Sequence, residues 1–332
     1  MEWTADVSRG EWLRPLLDDS FDTMHCVVPR GFAAYARVFH PASVRSLPGR
    51  AVPTPEEYDR MPDAERDALI GQYVDRPATW ADAASAFGTV MHPLAQWQRI
   101  VRTPPEGDWN TRIAPDGREF SAPMEGEIQP AQLARIAAHL SANTTTPDAG
   151  IAAVWEGYGG LLGFYGSGPS RGFFGSDDPD VTSAPDLQYV SHQQMLARSI
   201  HDPFNDAFRK PTWQPGILPD EVSKGPRLDL PDRAYVLFSA APAAFVDPAW
   251  VLDAPWRDRP AEAHGFAPAA QHPNMLWPDD HAWVMVSEID FDSTIVAGSA
   301  ELITAICADA TLEAEPIPVN ADLSWQADGV NR

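Results

Sequence analysis

Hydrophobic and polar positions follow two different periods along this chain, and each period predicts one kind of element. Strict alternation predicts strands, because successive side chains of an extended chain point to opposite faces. Apolar residues three and four positions apart predict helices, as at Leu133, Ile136 and Leu140. The predicted strands are Gly31–Phe39, Ile151–Trp155, Arg233–Phe238, Ala282–Asp290 and Ser293–Ala297.

Helix start signals agree with the helical periods. Thr54 precedes Pro55, which predicts an N-cap followed by a proline at the first helical position. Ser299 is predicted to cap a helix that carries Leu302, Ile303 and Ile306. Further helices are predicted at Glu11–Leu17, Ala64–Tyr73, Trp80–Phe87, Pro93–Val101, Pro130–Leu140 and Leu187–Ile200, with a short one starting at Asp247.

The order of these elements predicts the fold class. Strands come singly between helices and loops, and only the last two are consecutive, which favours an α+β fold with a mainly antiparallel sheet flanked by helices. The 33 prolines and 22 glycines predict long irregular connections between short elements. We expect one α+β domain over residues 1–332, with residues 163–225 as a loop-rich insertion and 319–332 as a mobile tail.

The charge of the chain limits its partners. A net charge of −23 disfavours nucleic acid and anionic membranes, since phosphate contacts need clustered Lys and Arg. The N-terminus lacks the apolar stretch of a signal peptide, and no run of residues is long and apolar enough for a membrane span. We therefore expect a cytoplasmic protein. The acidity suits either simple solubility or a basic protein partner.

The densest group of acidic residues follows the predicted strand that starts near Trp283. Alternation places Glu288, Asp290 and Asp292 on one face, and Trp283 on the opposite, core face. Three carboxylates at this spacing could bind a divalent cation or share a proton in acid–base catalysis. The alternative is a solvated strand end whose charge repulsion is relieved by water or by an arginine.

Histidines and aspartates precede the same strand. His272 and His281 are the candidate metal ligands that would join Glu288 and Asp290, since imidazole and carboxylate are common ligand types. No H-x-H or H-x-x-x-H spacing supports the set, and the pair Asp279 and Asp280 equally suits a turn.

A third group combines residues at the ends of predicted elements. Arg37, His40, His92 and Glu156 could converge on a ligand-binding cleft, because strand ends often line clefts. Each also has an ordinary interpretation as a boundary or capping residue. Nucleophilic catalysis lacks a signal, because no G-x-S-x-G motif occurs.

The stretch L-W-P-D-D-H-A-W-V-M-V-S-E-I-D-F-D-S-T-I-V-A-G-S resembles the C-terminal part of a group of uncharacterised actinobacterial proteins. The stretches G-F-A-A-Y-A-R-V-F-H-P-A, H-P-L-A-Q-W-Q-R-I and A-A-V-W-E-G-Y-G are similar to the same group in the same order. The resemblance implies a bacterial, intracellular protein. It implies no activity and no functional residue.

Two functions remain from the sequence. The first is a non-catalytic binding protein, either for a small ligand or, like an immunity protein or antitoxin, for a basic protein. The second is a metal-assisted hydrolase that uses the carboxylates of the strand 283–292. For the first function we expect no cofactor, and for the second a divalent metal.

Overall fold

The computed structural model describes residues 1–20, 23–104, 106–166, 210–231 and 233–332. The predicted helix Leu187–Ile200 lies outside these residues. The strands are β1 (Glu2–Trp3), β2 (Ala34–Phe39), β3 (Ala42–Ser46), β4 (Val74–Ala78), β5 (Thr111–Ile113), β6 (Glu119–Ser121), β7 (Gly150–Trp155), β8 (Phe164–Gly166), β9 (Thr212–Gln214), β10 (Leu228–Leu230), β11 (Arg233–Ser239), β12 (Met275–Pro278), β13 (Val284–Val286), β14 (Ser293–Gly298) and β15 (Ala314–Ile317).

These strands form a large sheet, a smaller sheet and a two-stranded ribbon. The large sheet has the order β1-β11-β7-β12-β13-β14-β2-β15, with β10 also paired to β11. The smaller sheet has the order β4-β3-β6-β5, and β8 pairs with β9. Every strand pairing within the described ranges is antiparallel. The predicted α+β fold with a mainly antiparallel sheet is confirmed.

The helices begin where their capping residues predict. Thr54 and Glu57 form a capping box, and Ser299 accepts a hydrogen bond from Leu302 N. The α-helices are Ser8–Glu11, Pro55–Arg60, Asp63–Ile70, Trp80–Phe87, Trp97–Ile100, Pro130–Ala142, Asp220–Ser223, Arg259–Glu262 and Ala300–Cys307. The 3-10 helices are Arg14–Leu16, Met24–Cys26, Pro242–Phe245 and Pro248–Asp253.

Both faces of the large sheet are buried, so the strand alternation divides two cores rather than a core and a solvent face. On one face Trp283 and Met285 pack with the helices Pro130–Ala142 and Ala300–Cys307. On the other face Val284 and Val286 pack with the N-terminal segment and with Tyr35. The core lies on both sides of β13 and not on the Trp283 face alone, because β13 lies in the middle of the sheet with both faces covered.

The smaller sheet and β12 are absent from the predicted elements. β12 is only four residues long and ends in Pro278, so it offers too few alternating positions to stand out. β4 has the sequence V-D-R-P-A and is largely exposed, so its strand character comes from pairing with β3 rather than from burial. A third core packs on this sheet around Trp80, Trp97 and Phe120.

Parts of the predicted insertion and tail pack against the molecule. Leu218 and Val222, within residues 163–225, belong to the first core. In the tail, for which the sequence predicts mobility, Ala321 and Asp328 are buried. Asp328 accepts a hydrogen bond from His92 Nε2 at 2.9 Å, so the tail makes specific contacts.

Candidate functional site

The three acidic residues singled out in the sequence lie around the turn that joins β13 to β14. β13 ends at Val286, and Phe291 N donates a hydrogen bond to Glu288 O over 3.1 Å. Glu288 and Asp290 therefore belong to the turn. The continuous acidic strand face does not form, because residues 287–292 reverse the chain into a hairpin with β14.

Arginines pair with all three carboxylates. Arg233 Nη2 lies 2.7 Å from both Glu288 Oε1 and Asp290 Oδ2. Arg37 Nη2 lies 2.9 Å from Asp292 Oδ1. Burial raises the pKa of Glu288, and the positive charge of Arg233 opposes that rise. The arginines supply here the positive charge that a divalent cation would otherwise bring.

The candidate metal ligands His272 and His281 lie at opposite ends of β12. His281 has a φ of 54° and stacks on Trp12, with ring centroids 4.0 Å apart. No cluster of three or more His, Cys, Asp or Glu side chains suited to a metal occurs among the described residues. The metal site stays a prediction, and the placement of these side chains does not support it.

The four residues proposed for a ligand cleft form separate contacts. Arg37 is fully buried; it donates to Ser293 Oγ and Ala95 O and lies over the ring of Phe39. His92 bonds Asp328, and Glu156 pairs with Arg227 at 3.0 Å. His40 directly follows β2, with Nε2 2.9 Å from Thr294 Oγ1. Arg37 and Asp292 do meet at a cavity of about 210 Å³ near the turn, whereas His92 and Glu156 do not line it.

A buried polar network crosses the sheet beside the turn. Thr294 Oγ1 donates to Ser287 Oγ at 3.1 Å, which links His40 to the end of β13. Asn274, just before β12, donates to Ser287 O at 3.3 Å and to Tyr158 Oη at 2.9 Å. Its own Oδ1 accepts from Trp155 N at 2.7 Å. Asn274 thus fixes the loop after β7 against the start of β12.

The network ends at a cavity of about 270 Å³. Its walls come from the loop after β7 (Tyr158), the residues before β12 (His272), and the 3-10 helix Pro248–Asp253 with its following loop (Trp250, Trp256). Trp256 Nε1 donates to Gln271 O at 2.7 Å, which fixes that ring. This volume is close to the roughly 300 Å³ at the lower end of ligand pockets.

His272 is one of the residues that line this cavity, and its ring has an unused hydrogen-bond acceptor. Its side chain is buried, and Nδ1 has no hydrogen-bond partner among the described residues. Nε2 lies 3.4 Å from Ser287 O, which can only accept, so Nε2 carries the proton and Nδ1 a lone pair. Burial lowers the pKa of His272 to about 4, so the ring is neutral at pH 7.

Tyr158 also stays neutral at physiological pH, because burial raises its pKa to about 12. Trp250 Nε1 is a second buried polar atom without a partner in the part of the chain that the structure describes. The lining side chains of His272, Tyr158 and Trp250 are therefore uncharged at pH 7, and Glu127 and Asp258 add carboxylate side chains to the wall. This chemistry suits binding a molecule better than transferring a proton at pH 7.

The sequence predicts His272 as a metal ligand but gives no indication of this cavity. Tyr158 and Asn274 come from loops distant from each other in the chain, and Trp250 and Trp256 come from a 3-10 helix and the loop after it. No shared motif links them. The available signal was the glycine-rich loop Gly157–Gly160 directly after a strand, together with two tryptophans in a loop rich in proline.

No family model, curated protein or solved structure matches this chain. Membership of the actinobacterial group stays a prediction. None of the helices in the described ranges has the length and hydropathy needed to cross a membrane.

Proposed function

We propose that this protein binds a small, largely apolar molecule in the 270 Å³ cavity and acts through that binding. One observation carries the proposal: His272 is one of the residues that line the cavity, and its buried Nδ1 has no partner among the described residues. Leaving such an atom unpaired costs about 1–3 kcal/mol. A ligand that donates to Nδ1 would recover this energy.

The test is a fragment screen by thermal shift, followed by affinity measurement on His272→Leu. A ligand that binds only the folded state raises the melting temperature. Loss of one hydrogen bond in His272→Leu should weaken the hits by about tenfold. The variant should fold, because leucine removes a buried polar atom that lacks a partner.

Trp250→Phe and Trp97→Phe form a matched pair for the same test. Both tryptophans are 2% exposed and both have an indole nitrogen without a partner in the described residues, but Trp97 does not line the cavity. Only Trp250→Phe should weaken the hits. A screen without hits, or hits that respond equally to both changes, would contradict the proposal.

A basic protein partner and a cytoplasmic location belong to this proposal as secondary parts. The net charge of −23 supports a basic partner, since it attracts cationic surfaces over distances of about the 10 Å Debye length. No arrangement of the described side chains adds support for an immunity-like role, so the small ligand comes first.

A further inference from the structure

We propose a second binding site, for a small phosphate monoester, in a cavity of about 390 Å³ between the helix Trp97–Ile100 and residues 330–332. This cavity shares no lining residue with the 270 Å³ cavity, so the second site does not rest on the function proposed above. Three features point to this ligand: the charge of the lining, two arginines with free N–H groups, and a wall that the tail holds in place.

The lining of this cavity carries positive charge without a carboxylate side chain. Arg99, Arg102 and Arg332 line it, and no Asp or Glu is among its described lining residues. Arg332 is the last residue of the sequence, and its terminal carboxylate offsets the charge of its side chain, so Arg99 and Arg102 carry the charge that counts. The net charge of the whole chain is −23, but charges beyond about 10 Å are largely screened at 0.1 M salt.

Arg99 is available to a ligand. Its side chain makes no hydrogen bond and no ion pair with the described residues. In contrast, Arg233 at the acidic turn is held by Glu288 and Asp290. A guanidinium presents five N–H donors in a fixed, planar fork, which matches the oxygens of an anion. An anion that enters the cavity therefore does not have to displace a carboxylate from Arg99.

Arg102 lies at the cavity in a backbone conformation that favours glycine. Its φ is 53°, directly after the C-cap Val101 of the helix, where glycine is the usual residue. Arg102 Nη2 donates to Gly88 O at 2.8 Å, which fixes the guanidinium beside the loop 88–90. This bond uses one of five N–H groups, and the others remain for a ligand. An arginine at a position that favours glycine indicates a use for its side chain.

The tail holds the other side of the cavity in place. Asn331 Oδ1 accepts from Val90 N, and Asn331 Nδ2 donates to Val90 O, both at 2.9 Å. Asp328 lies behind Asn331 and accepts from Asn331 Nδ2, His92 Nε2 and Gln96 N. This carboxylate is buried and does not line the cavity. The two walls are therefore joined without a ligand.

Two guanidinium groups match a phosphate monoester better than a carboxylate. A phosphate monoester carries a charge of about −1.5 to −2 at pH 7 and so balances both arginines, whereas a carboxylate balances one. Guanidinium and phosphate form paired, charge-assisted hydrogen bonds. Phosphate alone would not fill 390 Å³, and Thr89, Gln98 and Asn331 make the remaining wall polar. The ligand is therefore a phosphate on a small polar body, as in a sugar phosphate.

The experiment compares three probes of similar size that differ in charge: ribose 5-phosphate, gluconate and ribose. Dissociation constants are measured calorimetrically on the full chain at pH 7 and low salt. Ribose 5-phosphate should bind about tenfold more tightly than gluconate, because the phosphate engages both arginines. Ribose, which has no charge, should bind more weakly than either.

Single variants test which arginines are responsible. Arg99→Gln and Arg102→Gln should each weaken ribose 5-phosphate about tenfold. Arg99→Gln should keep the fold, because the Arg99 side chain has no hydrogen bond to lose. Arg76→Gln is the matched control, since Arg76 is exposed on β4, has no ion pair with the described residues and does not line the cavity. All three changes lower the net charge equally.

Three results would overturn the phosphate site. Ribose 5-phosphate could fail to bind, or gluconate could bind as tightly, which would remove the preference for phosphate. Equal weakening by Arg99→Gln and Arg76→Gln would show that only the net charge matters. None of these results bears on the 270 Å³ cavity, whose test uses fragment hits and His272→Leu.

Discussion

Burial of His40 and His272 changes their protonation and so couples the stability of the protein to pH. Each side chain is at most 3% exposed, and burial lowers each pKa from 6.5 to about 4. In the unfolded chain both rings bind a proton below pH 6.5. Between pH 6.5 and about 4 the unfolded state therefore holds up to two more protons than the folded state at these sites.

The free energy of unfolding should fall as the pH falls through this window. Each histidine contributes a slope of about 1.4 kcal/mol per pH unit, because stability rises with pH wherever the unfolded state binds more protons. Buried carboxylates with raised pKa values, such as Glu288 and Glu313, act in the opposite direction. The comparison of variants with the parent chain removes their contribution.

Urea unfolding of His272→Gln and His40→Gln between pH 7 and 4.5 checks this prediction. Each variant should flatten the slope by about 1.4 kcal/mol per pH unit. The parent chain, measured in parallel, is the control. Slopes equal to that of the parent chain in both variants would show that the two buried histidines bind protons equally in both states.

At the scale of elements, the position of the acidic turn depends on one neighbouring glycine. Gly126 has a φ of +66°, and its N–H donates to Phe291 O at 2.8 Å. A Cβ at Gly126 would lie well inside van der Waals contact of the Ile289 carbonyl. The backbone at Gly126 is thereby packed directly against the backbone of the turn. Gly126 precedes Glu127, which is in the cavity wall.

Gly126→Ala should destabilise the protein more than Gly49→Ala. Gly49 also has a positive φ, of +76°, but its added Cβ would meet no atom within 4 Å. Gly49→Ala should cost about 1–2 kcal/mol from the left-handed backbone alone, and Gly126→Ala about 1–3 kcal/mol more from overpacking. Chemical denaturation measures both, and equal costs would mean that the turn yields without penalty.

At the scale of the whole molecule, residues 319–332 connect separate cores. Asn320 N donates to His25 Nε2 at 3.3 Å, beside the second core. Further along, Trp325 contacts Trp109 with ring centroids 5.4 Å apart, and Asp328 bonds His92 and Gln96 near the smaller sheet. The tail therefore bridges the large sheet and the smaller one.

Removing the tail, or Asp328 alone, should destabilise the protein. The Asp328 side chain is fully buried and accepts from His92, Gln96 N and Asn331, so Asp328→Ala should cost about 3 kcal/mol by leaving these donors unpaired. Asp322→Ala is the control, since among the described residues Asp322 accepts a hydrogen bond from Ser324 N alone, and this change should cost less than about 1 kcal/mol. A tail that is mobile in solution, as the sequence predicts, would make both changes neutral.

Sequence patterns predicted the long, regular elements better than the short ones. The helix Trp80–Phe87 matches its predicted bounds, and Pro130–Ala142 extends the prediction by two residues. In both helices the apolar residues repeat at helical spacing over two or more turns, which makes the pattern clear in the sequence. The three- to five-residue strands of the smaller sheet escaped prediction, because their strand character depends on pairing with partners distant in the chain.

Sequence patterns predicted only part of each candidate site. Glu288, Asp290 and Asp292 do lie close to one another, as adjacent residues must, but their arginine partners are 55 to 255 positions away. The cavity draws its wall from segments around residues 127, 158, 250 and 272. Spacing along a chain carries no information about such convergence.

The sequence by itself determined the α+β class, the helix caps, the core-facing periodicity and the acidic character, because each depends on neighbours along the chain. Only the tertiary structure decided which polar groups are paired. It gave arginine partners to the carboxylates and left His272 Nδ1 without one among the described residues. The physical reason is that pairing and burial depend on contacts between distant segments, and those contacts exist only once the sheets have assembled.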